Sequence, residues 1–296
     1  MRALLSIIAV AAILAPHSAA QGADAGRPIV IAHRGGALLM PENTLPAFDH
    51  AVRLGAEMLE FDMVVTGDDQ LVVQHDPTVN ATFCTPEPGS NVSPGPIRAM
   101  KLEEVLKFDC GSKHRAIYPT QKPVPGARMP TPDELFTRYK NTDALFFGEA
   151  KMPKPTEGEV DPVAFARLIE AAVRKHGLKD RFILQSFDWR TVDAMHEINP
   201  RIRTCLLGAK AEKGAYLQLL RQHHASCLTL SSKATDADEV KQLRDAGVMV
   251  ISDVVDDEAG WRINRELGMS AIFTNDPAGL IAFLEHSSDR RRGAPE

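Results

Sequence analysis

The 296-residue chain carries 34 Lys and Arg against 39 Asp and Glu, a formal net charge of −5, and four cysteines. Its basic residues form no stripe except Arg290-Arg291-Arg292, so the composition excludes nucleic acid as a main partner. Four cysteines are too few for a disulfide-rich scaffold, and the length suits a single α/β barrel, which commonly needs about 250 residues.

The first residues have the pattern of a secretory signal peptide. Met1-Arg2 precedes an apolar run from Ala3 to Ala15, and small residues surround the expected cleavage points at Ala20 and Ala23. There is no cysteine there to carry a lipid, and no later run approaches the ~18 apolar residues of a membrane helix. We therefore expect residues 1–23 to be removed, giving a periplasmic or secreted protein without a stable membrane anchor.

The first predicted strand, Pro28 to Ala32, ends in the loop His33-Arg34-Gly35-Gly36. Asn43-Thr44 then caps a helix that stops at Gly55. The second strand begins at Leu59 and contains Glu60 and Asp62, which alternation places on one face about 7 Å apart. Two buried acids repel unless a positive charge lies between them, and a hard divalent cation is the simplest partner.

A turn at residues 66–69 returns the chain through Leu71-Val72-Val73 and brings His75 to the same region. Residues 77–130 are rich in Pro, Gly, Ser and Thr and contain one predicted helix, Leu102 to Phe108, which indicates a lid-like insertion. Cys84 and Cys110 lie within this segment, on either side of an irregular stretch, and are the candidate disulfide. Cys205 and Cys227 lie in apolar strands and are expected to be buried thiols.

From residue 131 strands and helices alternate regularly. This pattern predicts a single (β/α)8 TIM barrel over residues 24–285, with the insertion 77–130 after strand two and a disordered tail over 286–296. A doubly wound open sheet is the alternative, but the Gly-x-Gly-x-x-Gly fingerprint is absent after the first strand. The remaining strands are predicted at 144–149, 182–186, 202–207, 227–230, 248–251 and 271–273, and the helices at 131–140, 161–176, 189–199, 212–223, 235–246 and 257–267.

Polar residues interrupt the strands where a barrel forms its active site, at the carboxyl ends. Three carboxylates on neighbouring strands predict a hard-metal site with two flanking histidines. Each residue alone has a simpler explanation, since a histidine at a strand end is often structural and Glu149-Ala150-Lys151 could be an exposed ion pair. The polar residues concerned are His33, Arg34, Glu60, Asp62, His75, Glu149, Lys151 and Gln185.

These residues resemble the glycerophosphodiester phosphodiesterase family. The pattern His33-Arg34, Glu60-x-Asp62 and His75 matches its His-Arg, Glu-x-Asp and His motifs, and Pro41-Glu42-Asn43-Thr44 matches its opening block. Glu149-Ala150-Lys151 and Gln185-Ser186-Phe187 resemble later blocks. The resemblance implies a barrel of the phosphatidylinositol phospholipase C type that hydrolyses glycerophosphodiesters, as small-molecule substrates, to glycerol 3-phosphate and an alcohol.

The resemblance also implies a role for each matching residue. Glu60, Asp62 and Glu149 become the ligands of one Ca²⁺ or Mg²⁺ ion, and His33 and His75 the acid and base, in an order that the sequence leaves open. Arg34, Lys151 and Gln185 become substrate and phosphate contacts. Glu42 becomes either an additional metal ligand or a residue that orients the His33 loop.

The sequence departs from the family pattern at two late strands. Val250-Ile251-Ser252-Asp253 replaces a Trp-Thr pair, and Asn275 stands where Asp is common. Two other functions therefore stay open: a related hydrolase that cleaves a phospholipid head group, and a catalytically silent barrel that binds a phosphorylated ligand. The sequence does not indicate the oligomeric state.

Overall fold

The computed structural model describes residues 27–292, so the predicted leader 1–23 lies outside the described residues. Eight of the described strands are parallel and close into a barrel, because β1 pairs with β2 on one side and with β11 on the other. The barrel prediction is confirmed and the open-sheet alternative is wrong. The strands are β1 (Ile29–Ala32), β2 (Met58–Val65), β3 (Leu71–Val73), β4 (Thr85–Pro86), β5 (Phe108–Asp109), β6 (Leu145–Ala150), β7 (Phe182–Ser186), β8 (Arg203–Leu206), β9 (Cys227–Leu230), β10 (Met249–Val254) and β11 (Ala271–Thr274), with β3 to β5 outside the barrel.

Helices follow the strands, and side chains cap several of them. Thr44, Thr131, Asp161, Asp188, Asp236 and Asp257 each accept a hydrogen bond from a backbone N–H of the first turn. The helices are α1 (Leu45–Leu54), α2 (Leu102–Val105), α3 (Pro132–Tyr139), α4 (Pro162–Lys175), α5 (Trp189–Ile198), α6 (Tyr216–Gln222), α7 (Ala237–Asp245), α8 (Glu258–Leu267) and α9 (Pro277–Arg292). None of the helices between residues 27 and 292 is long and apolar enough to cross a membrane.

Several predicted boundaries differ from the structure. The helix predicted over 102–108 ends at Val105, because Phe108 and Asp109 form β5 and pair with β4. The helix predicted from 212 begins at Tyr216. The backbone is helical over 286–292, where the sequence predicted a disordered tail; residues 293–296 lie outside the described part.

The inside of the barrel is filled by apolar side chains from all eight barrel strands, among them Ile31, Met58, Phe147, Ile183 and Ile251. Cys205 and Cys227 belong to this cluster, and they face each other in the register of β8 and β9 with 4.5 Å between their Cα atoms. They form a disulfide, so the expectation of two buried thiols is wrong. Strand register, which the sequence did not predict, places the two sulfur atoms together.

The segment between β3 and α3 has a small core of its own. Phe83, Ile97, Val105 and Phe108 pack there against Val64 on the β2–β3 hairpin. The expected disulfide joins Cys84 to Cys110 inside this core. The segment is also tied to the loop after β1, because the Gln121 side-chain amide donates to the carbonyls of Ala37 and Met40 at 2.8 and 3.1 Å. The insertion therefore borders the entrance of the barrel.

Candidate active site

The loop after β1 turns the backbone toward the barrel mouth. Arg34 has a left-handed φ of 52°, and its N–H donates to Glu60 Oε2 at 2.8 Å. Gly35 is needed beside it, because a Cβ there would lie 2.8 Å from the Ala47 side chain. The two-glycine motif thus lets the loop pack on α1 while it directs His33 and Arg34 into the mouth.

The three acids predicted as metal ligands converge. Glu60 and Asp62 lie on one face of β2, and Asp62 is directly opposite Glu149 on β6. One carboxylate oxygen from each lies within 4.8 Å of the other two. The three side chains are buried, with exposed fractions of 1%, 1% and 6%. A single ion can therefore touch all three.

The pKa values of the three acids are shifted in different directions. Burial, reinforced by Asp62, raises the pKa of Glu149 to about 8 and raises the pKa of Glu60 well above its ordinary value. Burial alone would also raise the pKa of Asp62, but the charges of Arg34 and Lys151 outweigh it and lower that pKa. Two of the three carboxylates thus lack enough positive charge around them.

The unpaired oxygens of the cluster fit a hard cation. Asp62 Oδ1 and Gln185 Oε1 are buried, and within the described residues neither accepts a hydrogen bond. Both are oxygen acceptors of the type that Ca²⁺ and Mg²⁺ bind. The donor set, the excess negative charge and the unsatisfied acceptors all agree with a divalent cation at Glu60, Asp62 and Glu149.

Two cations of the protein border the acids. Lys151 Nζ lies 3.0 Å from Glu149 Oε1 and 3.6 Å from Asp62 Oδ1. Arg34 Nε lies 3.5 Å from Asp62 Oδ2. Gln185, predicted as a substrate contact, donates its side-chain amide to Glu60 Oε1 at 3.0 Å and so supports that carboxylate.

Glu42 orients Arg34 and lies apart from the three-carboxylate cluster. Its Oε1 accepts from Arg34 Nη1 at 3.2 Å, and its Oε2 accepts from Arg115. Both oxygens are therefore engaged by guanidinium groups. Of the two roles that the sequence left open for Glu42, this geometry favours the orientation of the loop.

The two histidines lie in different surroundings. His33 is mostly buried, with 13% of its side chain exposed. Its Nδ1 is 2.7 Å from Asn275 Oδ1, and its Nε2 is 4.0 Å from Glu60 Oε2. Burial and the nearby Arg34 charge lower the pKa of His33 to about 3. His75 is 29% exposed, and its Nδ1 is 2.7 Å from Asp76 Oδ1. This hydrogen bond lowers the pKa of Asp76 to about 2, so that carboxyl stays ionised.

A cleft of about 1080 Å³ leads away from the acids on the His75 side. It is lined by His75, Glu149 and Lys151 near the acids and by Phe187 and Trp189 farther out. Among the described residues, His33 and Arg34 lie outside its lining. One histidine therefore faces a wide cleft, and the other lies outside it and is mostly buried.

Sequence reasoning did not assign four residues that support this site. Asn43 holds Asp62 twice, donating to Oδ2 at 2.8 Å and accepting from the backbone N–H at 3.3 Å. Asp76 orients His75, Asp256 binds Asn275, and Arg115 binds Glu42. The Pro-Glu-Asn-Thr motif was a signal for Asn43. Asp256 and Arg115 lie far along the chain from their partners and had no such signal.

Comparisons with known proteins identify the family of this chain. The model of the glycerophosphoryl diester phosphodiesterase family matches residues 33–279. A glycerophosphodiester phosphodiesterase of Bacillus subtilis is 26% identical over 284 residues, 93% of each chain, and one of Caldanaerobacter subterraneus is 28% identical over 86% of this chain and 97% of its own.

Solved structures share the barrel. An Oleispira antarctica phosphodiesterase in complex with the product sn-glycerol-3-phosphate superposes with a TM-score of 0.72 at 22% identity, covering 87% of this chain and 97% of its own. A glycerophosphodiester phosphodiesterase from Agrobacterium tumefaciens has a TM-score of 0.68 at 22% identity, covering 86% and 100%. With the family match over most of its length, this chain is an enzyme of the glycerophosphoryl diester phosphodiesterase family.

Proposed function

We propose that this enzyme hydrolyses glycerophosphodiesters to glycerol 3-phosphate and an alcohol, with one divalent cation and with His33 and His75 moving the protons. The observation that carries the proposal is the arrangement at the barrel mouth. Three buried carboxylates lie within 4.8 Å of one another, and two histidines in unlike surroundings border them. Phosphodiester cleavage needs a positive charge to stabilise the phosphate oxygens and an acid and a base to transfer protons, and these groups lie together here.

Glu60, Asp62 and Glu149 would hold the cation, Ca²⁺ or Mg²⁺. When bound, the cation supplies positive charge against the phosphate oxygens, whose negative charge otherwise repels an attacking oxygen. Arg34 and Lys151 add fixed positive charge beside the same carboxylates. Asn43 and Gln185 hold two of the carboxylates in place.

His33 is the base in this proposal. Its low pKa, caused by burial and by Arg34, leaves the imidazole neutral at pH 7 and able to take a proton from the attacking water, whose oxygen ends on the glycerol phosphate. His75 is the acid. It stays hydrogen-bonded to the ionised Asp76 while it gives a proton to the oxygen of the departing alcohol. Each proton transfer contributes about 10²- to 10⁴-fold in rate.

The cleft supports this assignment of the acid. The group that protonates the leaving oxygen must lie beside the departing alcohol, and His75 is the histidine of the pair that lines the cleft. The alcohol would therefore occupy the cleft toward Phe187 and Trp189, while glycerol phosphate stays with Arg34 and His33. A volume of about 1080 Å³ leaves room for head groups of different sizes.

We also infer that the protein is exported. The leader over residues 1–23 has the composition of a secretory signal. Two disulfides, Cys84–Cys110 and Cys205–Cys227, support this inference because such bonds persist in oxidising compartments.

The direct test is release of glycerol 3-phosphate by the purified chain lacking residues 1–23. Glycerophosphocholine, glycerophosphoethanolamine and glycerophosphoinositol are supplied with Ca²⁺ or Mg²⁺, and chelator is added to a parallel sample. We expect turnover with metal, none with chelator, and none for Asp62→Asn. A folded, metal-supplemented protein without turnover on any of these substrates would favour the silent binding barrel. Release of the phosphorylated head group instead would favour the related phospholipid hydrolase.

A further inference from the structure

Asn275 connects the buried histidine of the site to a carboxylate that the reaction does not otherwise use. Its Oδ1 lies 2.7 Å from His33 Nδ1, and its Nδ2 donates to Asp256 Oδ2 at 2.8 Å. Asn275 is buried, with 6% of its surface exposed. The three side chains come from the ends of β1, β10 and β11, which are neighbouring strands of the barrel.

The chemistry of the amide determines which way it faces. An ionised carboxylate only accepts hydrogen bonds, so the NH₂ group of Asn275 must face Asp256. The amide oxygen then faces His33 and cannot donate. The Nδ1 atom of His33 must therefore carry the hydrogen, and in the neutral ring Nε2 is left as a bare acceptor.

Asp256 is itself held in one orientation. Its Oδ1 accepts from the backbone N–H of Asn275 at 2.6 Å and from Thr274 Oγ1 at 3.0 Å. With the amide of Asn275, three donors hold the carboxylate. The His33 ring also packs against Phe273, with 5.0 Å between ring centroids. Phe273 therefore supports the plane of the His33 ring, and Asn275 is the hydrogen-bond partner of Nδ1.

We propose that Asp256 and Asn275 are positioning residues that hold His33 as its Nδ1–H tautomer and direct a bare Nε2 toward the acidic cluster. The kinetic part of this inference rests on the proposed function, because it assumes that His33 is the base. This chain has a neutral amide against the imidazole, and the carboxylate of Asp256 binds the other end of that amide.

The tautomer can be measured without substrate. The chain is labelled with ¹⁵N-histidine, Mg²⁺ is present, and the His33 signals are assigned from the spectrum of His33→Gln. We expect Nδ1 to carry the proton and Nε2 to have the shift of an unprotonated nitrogen. An Nε2–H tautomer in the unaltered protein would overturn the proposal whatever the activity.

Exchange of the two side chains tests the connection. Asp256→Asn frees the amide of Asn275 to rotate, and Asn275→Asp brings two carboxylates together, so each should lower kcat about 10- to 100-fold with little change in KM. The double variant Asp256→Asn/Asn275→Asp restores an amide–carboxylate pair and should recover most of kcat and the Nδ1–H signal. Asp253→Asn, which removes an exposed carboxylate from the same segment, is the matched control and should change neither.

Each outcome decides one of the two proposals. If Asp256→Asn keeps both the tautomer and kcat, or if the double variant is no better than the single variants although circular dichroism shows it folded, the positioning role is wrong. If the unaltered protein has the Nδ1–H tautomer and Asp256→Asn loses it, but no glycerophosphodiester is turned over, the positioning role stands and the proposed function fails.

Discussion

Asp62 on β2 lies directly opposite Glu149 on β6, and the Lys151 ammonium group reaches both carboxylates at 3.6 and 3.0 Å. The two acids nevertheless differ in protonation. Burial and the charge of Asp62 raise the pKa of Glu149 to about 8, whereas Arg34 and Lys151 overcome the effect of burial on Asp62 and lower its pKa. Arg34 and Lys151 thus provide two positive charges beside three buried carboxylates. The resulting excess of negative charge has measurable consequences.

The first prediction concerns stability without metal. A carboxyl whose pKa is higher in the folded chain keeps its proton longer there, so stability falls as pH rises from the ordinary pKa to the raised one. For Glu149 this window runs from 4.5 to about 8. The lowered pKa of His33 has the opposite effect, but only below its ordinary value of 6.5. Chelated protein should therefore lose thermal stability between pH 7 and pH 8.

The variant Glu149→Gln should show a smaller loss over the same pH range, because one of the acids with a raised pKa is gone. Differential scanning calorimetry in chelator measures the midpoint at each pH. Glu103→Gln, which removes an exposed carboxylate on α2, should behave like the unaltered protein. Equal slopes for Glu149→Gln and the unaltered chain would show that burial does not raise the pKa of Glu149 as described.

The second prediction separates the acid from the base. His75→Ala should lower turnover of glycerophosphocholine by about 10²- to 10⁴-fold, because the choline oxygen leaves only when protonated. A nitrophenyl ester of glycerol phosphate needs little protonation, so the same variant should cleave it almost as fast as the unaltered enzyme. His33→Ala should be slow with both substrates. Both rates are measured as kcat/KM for each substrate.

Stability serves as the control for that experiment. The His75 ring is 29% exposed and is hydrogen-bonded to the adjacent Asp76, so His75→Ala should unfold at nearly the same temperature as the unaltered protein. A large drop in melting temperature would indicate a structural role for His75. Equal impairment of both substrates would contradict its role as the acid.

The third prediction concerns the support of Arg34. Arg115 binds Glu42 and stacks on Phe83, with 4.3 Å from the guanidinium carbon to the ring centroid. Arg115→Met leaves one oxygen of a buried carboxylate unpaired and should lower the free energy of unfolding by about 1–3 kcal/mol. Because both residues belong to one network, the double variant Arg115→Met/Glu42→Gln should be less destabilised than the sum of the single variants. Urea unfolding of the four proteins measures the difference, and simple additivity would mean that the ion pair carries no coupling.

The fourth prediction concerns the disulfide of the insertion. Cys84 and Cys110 are separated by 26 residues in the sequence. Removing a disulfide that closes a loop of that size lowers the free energy of unfolding by about 3 kcal/mol. The paired variant Cys84→Ser/Cys110→Ser should therefore melt at a lower temperature. Thiol titration of the denatured, unreduced protein should find no free cysteine, since both pairs are bridged. Four titratable thiols in protein purified from the periplasm would contradict both bridges.

The register of the barrel decided several pairings that no local pattern contains. The sequence predicted that Cys205 and Cys227 are separate buried thiols, yet the pairing of β8 with β9 places them opposite each other. Gln185 donates to Glu60, 125 residues earlier in the chain, a contact that the sequence did not predict. Both differences arise because strand neighbours are set when the barrel closes.

The sequence by itself determined what local periodicity controls. Alternation along β2 put Glu60 and Asp62 on one face, and the regular succession of strands and helices specified a barrel whose carboxyl ends share one mouth. Only the tertiary structure decided which distant side chains meet there. His33 and Asn275 are 242 residues apart and come together because β1 pairs with β11, a long-range hydrogen-bonded contact for which side-chain alternation carries no information.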